Sequence, residues 1–117
     1  MERTTDCLFC RIVSGEIPAE LVAQGEEWIA FRDVTPQAPT HVLIIPRTHV
    51  ESVADLDQDS GLLAGQLLLA AAETARSLGV SDDGYRLVMN RGVRAGQSVF
   101  HLHIHLLAGR DMAWPPG

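Results

Sequence analysis

Residues His101-Leu102-His103-Ile104-His105 alternate strictly between imidazole and aliphatic side chains, and a period of two demands an extended backbone. On such a strand Leu102, Ile104 and Leu106 point into a core while the three histidines share the opposite face. Threonine, lysine or glutamate ordinarily fills an outward strand face, so three imidazoles call for more than solvation. Ligation of one metal ion by all three is strained. The Cα atoms of His101 and His105 would stand about 13 Å apart, against metal–nitrogen bonds of roughly 2 Å. A row of imidazoles suits reaction chemistry better. The middle histidine can act as nucleophile while its neighbours hydrogen-bond reacting oxygens and move protons near neutral pH. Phosphorus is a fitting electrophile, because residues 92–98, Gly-Val-Arg-Ala-Gly-Gln-Ser, offer flexible backbone donors and a hydroxyl.

The rest of the chain must supply a fold that holds this strand. At 117 residues and 46% hydrophobic content, the sequence predicts one α+β domain over 1–117, with a core at 7–108 and a tail at 109–117. The apolar runs at 42–45 and 67–72 fall far short of the roughly 18 residues a membrane span needs. Met1 to Asp6 has no apolar leader segment, so a cytoplasmic location is expected. A net charge of −6 argues against nonspecific binding of duplex nucleic acid. All nine basic residues are arginine, which excludes Schiff-base catalysis and a lysine-bearing phosphate loop.

A short helix is expected within 6–15, from the spacing of Leu8, Phe9, Ile12 and Val13 before Gly15. Residues 21–24 and 28–33 read as a hairpin around Gly25-Glu26-Glu27, and 42–45 as a buried strand ended by Pro46. A long helix follows, capped by Asp57, Asp59 or Ser60 and stopped at Gly79, with Leu63, Leu67, Ala70, Ala71 and Leu78 on one face. The acidic cluster Asp55, Asp57 and Asp59 reads as a solvated helix entry, not a calcium loop. Strands at 85–89 and 99–107 complete an antiparallel sheet of about five strands with one long and one short helix.

The run His101–His105 followed by Leu106-Leu107 resembles the histidine-triad (HIT) signature, in which three histidines alternate with apolar residues. More of the chain is similar: 31–41 (Phe-Arg-Asp-Val-Thr-Pro-Gln-Ala-Pro-Thr-His), Asn90, Gly96-Gln97-Ser98-Val99 and Trp114-Pro115-Pro116-Gly117 look like the Hint branch of that family. The resemblance implies a HIT-like fold whose two protomers form a continuous sheet. It implies that His103 takes a nucleotidyl group as a covalent intermediate. His105 would contact the phosphate and leaving-group side, with Ser98, Asn90, Gly96 and Gln97 as further contacts and His41 behind the triad. Asp33 matches a ribose-hydroxyl acceptor, and Phe9, Ile12, Ile17, Phe31 and Val34 an apolar base pocket, although each apolar residue equally suits plain core. Trp114 would reach toward a partner's active site.

Cys7-Leu8-Phe9-Cys10 is a CxxC, and zinc needs four ligands of which such a pair supplies two. His49 is a candidate third and His101 a candidate fourth; His41, or an empty thiol pair, are the alternatives. Other HIT branches and the related galactose-1-phosphate uridylyltransferases are similar in joining a CxxC, a distant histidine and the first triad histidine. By that resemblance zinc is structural, and no cofactor is needed for catalysis. The function implied is hydrolysis of purine nucleoside phosphoramidates to the nucleoside monophosphate by a homodimer. A dinucleoside polyphosphate hydrolase and a non-catalytic nucleotide-binding module are the rivals.

Overall fold

The structure, a computed structural model, describes residues 6–117; the segment 1–5, where the leader was sought, lies outside them. A short helix α1 (Leu8–Val13) leads into strands β1 (Leu21–Gln24), β2 (Trp28–Arg32) and β3 (Thr40–Pro46). The long helix α2 (Gly61–Ser77) follows, then β4 (Tyr85–Val88) and β5 (Ile104–Ala108). The sheet runs β1-β2-β3-β5-β4, and every neighbouring pair is antiparallel. This is the expected α+β architecture.

The central strands are apolar on both faces because both faces are covered. Trp28 and Ala30 of β2, Val42 and Ile44 of β3, and Ile104 and Leu106 of β5 pack with Leu67, Ala70, Ala71 and Ala75 of α2. The alternate residues Ile29, Phe31, Leu43 and Ile45 pack with Phe9 of α1. The helix face expected for α2 is the one buried, with Leu63 and Leu78 at its margins. Its C-terminus closes as a Schellman motif: the Val80 and Gly79 amides donate to the carbonyls of Ala75 (3.0 Å) and Arg76 (3.1 Å), with Gly79 at φ +75°. The α2 N-terminus is built differently from the expectation. Asp57 caps a separate 3-10 turn (Gln58–Ser60) in a capping box with Ser60, and α2 starts only after it.

The last strand is shorter than its alternation implied. Residues 99–103 keep the two-sided pattern, but ladder pairing begins at Ile104 opposite Ile44. Two residues beyond Ile44 stands Pro46, which has no amide to donate, so β3 cannot extend the ladder to residue 102. The Leu102 amide donates instead to the Val50 carbonyl at 2.6 Å. His101 and His103 therefore lie just before β5 and His105 on it.

Candidate active site

Leu102, Ile104 and Leu106 enter the α2 side of the core, so the three histidines face the α1 side, where Phe9 meets His101 and His103. The rings of His103 and His105 are 4.9 Å apart, and Phe9 stands edge-on to His103 at 5.1 Å. His101 is fully buried and His103 is 7% exposed. Each imidazole nevertheless has a different hydrogen-bond environment, and those environments assign the protons.

His103 Nδ1 lies 2.7 Å from the His101 carbonyl. A carbonyl only accepts, so Nδ1 carries the proton and Nε2 keeps a lone pair. Burial lowers the His103 pKa, against the raising effects of the His101 carbonyl and Asp33, which favours the neutral, nucleophilic ring. For His105 the order is reversed. The Gln37 amide donates to His41 Nδ1 at 3.0 Å, so the His41 proton sits on Nε2. That proton faces His105 Nδ1 at 2.9 Å and Asp33 Oδ2 at 3.5 Å. His105 Nδ1 is thereby an acceptor, and Nε2–H is the proton His105 can offer. Burial, with His103 and His41 adding to it, pushes the His105 pKa down to about 4. Burial also lowers that of His41, while Asp33 opposes the shift. One extended segment thus carries a lone pair at residue 103 and a donor at residue 105.

His103 and His105 open onto a cleft of about 390 Å³. Phe9, Ile12, Ile17, Phe31, Asp33, Val34, Ser98, His103 and His105 all line it, as the sequence suggested. Val34 does so from the rim, 96% exposed. Leu43 joins them, opposite Phe31 in the β2–β3 register, as do Leu8, Arg32 and Val99, which the sequence marked for helix spacing or family resemblance; Pro18 and Ala19 carried no advance signal. Asn90 follows β4 and does not line the cleft, and neither does Trp114, 82% exposed in the tail. Gly96 and Gln97 serve the loop itself. Their amides donate to the carbonyls of Val93 and Gly92 at 3.0 Å each, so these two donors are already engaged. The Gln97 side chain accepts from the Gly92 amide (2.8 Å) and donates to the carbonyls of Glu51 (2.7 Å) and Val99 (3.2 Å). It is the brace that sets Ser98 at the cleft wall.

Behind the triad, Cys7, Cys10, His49 and His101 gather with their ligand atoms within 4.8 Å of one another. His101 Nδ1 is 3.4 Å from Cys7 Sγ and 3.5 Å from Cys10 Sγ, and His49 Nδ1 is 3.2 Å from Cys10 Sγ. Two sulfurs and two nitrogens around a tetrahedral ion stand about 3.5 Å apart along each S–N edge, so the residues fit a metal. The chemistry of the donors fits too. His101 Nε2 donates to the Pro46 carbonyl at 2.8 Å, which leaves Nδ1 unprotonated toward both sulfurs. Burial, above all, lowers the His101 pKa to about 4, keeping it neutral as ligation requires. Neither cysteine is in a disulfide. His41 is not in this group; it stands with Asp33 and His105 in a second cluster. The same His101 whose side chain faces the cysteines holds His103 through its carbonyl.

The profile of the HIT domain family matches residues 14–112. An uncharacterized HIT-like protein of Synechocystis sp. is 46% identical over 112 residues, covering 96% of this chain and 97% of that protein. A solved HIT family hydrolase from Legionella pneumophila superposes with a TM-score of 0.92 at 50% identity, covering 95% of this chain and 99% of that one. A histidine triad protein from Clostridium difficile superposes at 0.90 with 36% identity, covering 97% of each.

Proposed function

The chain belongs to the HIT domain family, and from that premise we propose that it hydrolyses purine nucleoside phosphoramidates to the nucleoside monophosphate and an amine. The observation that carries this reading is the proton placement: His103 Nδ1 is tied to the His101 carbonyl, freeing Nε2 in a side chain that lines an apolar cleft. The base occupies the end formed by Phe9, Ile12, Ile17 and Phe31, and Asp33 accepts from the ribose hydroxyls. His103 Nε2 attacks phosphorus; the N–P bond to His103 forms as the P–N bond to the amine breaks. The amine nitrogen, protonated from solvent, leaves as the free amine, while His105 Nε2–H donates a hydrogen bond to a phosphoryl oxygen and His41 Nε2–H keeps Nδ1 of that ring an acceptor. Water then attacks the nucleotidyl-histidine, the P–N bond to His103 breaks, a proton passes to solvent, and the monophosphate leaves with His103 restored. Ser98 contacts the phosphate, and Asn90 joins it only if its loop closes over bound substrate.

Cys7, Cys10, His49 and His101 would hold zinc. Four protein ligands leave no position for a reactive water, so the ion supplies stability and not chemistry. The working form is a homodimer in which two sheets join through β4, one of the two edge strands of the sheet. Leu62, Leu68 and Leu69 of α2, exposed on one chain, support such a partner, and Trp114 in the tail would reach the second copy's cleft. Cysteines held outside a disulfide support a cytoplasmic location. Turnover of a fluorogenic adenosine phosphoramidate, faster than that of a diadenosine polyphosphate, is the expected result. Preference for the polyphosphate refutes the substrate class, and no turnover of either refutes the enzyme.

A further inference from the structure

A neutral imidazole carries one ring proton, and a ring nitrogen that faces a fixed donor is the one left bare. His41 Nδ1 faces the Gln37 amide at 3.0 Å, and the proton this leaves on His41 Nε2 makes His105 Nδ1 an acceptor at 2.9 Å. Gln37 lies in the loop between β2 and β3, between Pro36 and Pro39. Neither proline has an amide with which to tie that loop down. The segment that leaves β5 ties it instead. Arg110 Nε–H donates to the Gln37 carbonyl at 2.9 Å, and Arg110 Nη1–H to the Asp111 carbonyl at 3.1 Å. Gly109, at φ +94°, lies so close to Pro39 that a Cβ there would stand 2.9 Å from the Pro39 Cβ. Register brings clamp and loop together: Thr40 pairs with Ala108 and His41 with Leu107, so the residues just beyond these pairs meet at the end of the β3–β5 ladder.

We infer that Arg110, which does not line the cleft, is a positioning residue of the site: by holding the Gln37 carbonyl it keeps the Gln37 amide on His41, and so keeps the proton of His105 on Nε2. The catalytic use of that proton rests on the phosphoramidase reading above. Without the clamp the Gln37 amide turns from His41, whose proton is then free to move to Nδ1. Bare His41 Nε2 would face bare His105 Nδ1, a repulsion relieved when the His105 proton moves to Nδ1 as well. His105 Nε2 would then have no proton to offer a phosphoryl oxygen. Asp33 Oδ2, 3.5 Å from His41 Nε2, favours the original tautomer from a longer distance. The Thr35 amide holds Asp33 through Oδ1 at 2.8 Å, independently of Arg110. Loss of Arg110 therefore mixes the tautomers and leaves the ribose acceptor in place.

Two substitutions of equal length separate hydrogen-bond donation from bulk and charge. Arg110→Gln places an amide N–H where the Arg110 Nε–H stands, and Arg110→Met places a methyl there; both remove the charge, at an exposed position. Two-bond proton–nitrogen spectra of the imidazoles read the tautomers of His41 and His105 in the protein without substrate. Wild type and Arg110→Gln should show a bare Nδ1 and a protonated Nε2 on both rings, and Arg110→Met averaged signals. Toward an adenosine phosphoramidate, kcat of Arg110→Met falls about tenfold, a part of the roughly 100–1,000-fold that complete removal of such a donor costs. Arg110→Gln stays within about twofold of wild type, and AMP affinity holds in both variants. Wild-type tautomers in Arg110→Met, or equal changes in the two variants, overturn the inference while leaving the phosphoramidase reading intact. Failure of the wild type to cleave the phosphoramidate overturns that reading, and the spectra then decide by themselves whether Arg110 places the proton.

Discussion

Gln97 is the polar side chain on which the geometry of the site leans most, and its removal has a calculable cost. It is 4% exposed and makes three hydrogen bonds, tying the Gly92 amide and the carbonyls of Glu51 and Val99 into one brace. Each bond contributes a net of about 1 kcal/mol, and a buried partner left unmade costs about 1–3 kcal/mol. Gly92 is half-buried and Glu51 exposed, so water recovers part of what Gln97→Ala removes. The net loss is therefore about 3 kcal/mol. With a urea slope of about 1–3 kcal/mol/M, the unfolding midpoint falls by about 1–3 M. Because Ser98 follows directly, turnover falls further than AMP affinity, which depends on Phe9, Phe31 and Asp33. Urea titration beside steady-state kinetics measures both. A midpoint shift below about 0.3 M, or loss of AMP binding in step with turnover, refutes the brace.

The acid side of the stability profile follows from His105 and His41, whose pKa values burial holds below the ordinary 6.5, His105 at about 4. Between pH 6.5 and about 4 the unfolded chain binds protons that the folded chain refuses, so stability is flat above 6.5 and falls with acidification through that window; thermal melts that rise toward pH 5 would contradict it. Protein purified without chelator should carry one zinc per chain, and stripping it should remove about 4 kcal/mol of stability at a free zinc level 1,000 times Kd; zero zinc by elemental analysis, or a Cys7–Cys10 disulfide, rules the site out. Deleting residues 112–117 should reorder turnover across a phosphoramidate series with AMP affinity within about twofold, as expected of a tail that contacts the amine side; an unchanged order makes the tail packing alone.

The alternation at 101–105 was enough to place Leu102, Ile104 and Leu106 in the core and the imidazoles together, because a period of two fixes faces whatever the ladder does. It could not show that pairing would stop at Ile104, since that depends on Pro46 standing opposite in β3. The helix face of α2 was legible from its aliphatic spacing, but the separate capped turn at 58–60 was not, because Asp57, Asp59 and Ser60 are interchangeable as caps in sequence. Cys7 and Cys10 announced a ligand pair; their meeting with His49 and His101 depends on how α1 crosses the sheet, which resemblance suggested and spacing alone did not decide. Gln97 was read as a substrate contact, yet its amide groups turn inward to backbone partners whose positions only the folded loop defines. The tautomers of His41, His103 and His105 were likewise invisible until the Gln37 amide and the His101 carbonyl were in place.

The central claim is that His103, held as its Nδ1–H tautomer, is the atom that bonds to phosphorus. Rapid acid-free quenching of the protein during turnover of an adenosine phosphoramidate, followed by peptide mass spectrometry, tests it directly. The account predicts one adenylyl group on the peptide containing residues 101–105, localised to His103 and absent from His103→Ala, which still binds AMP but turns over many orders of magnitude more slowly. An adenylyl group on another residue, or near-normal turnover by His103→Ala, would contradict it.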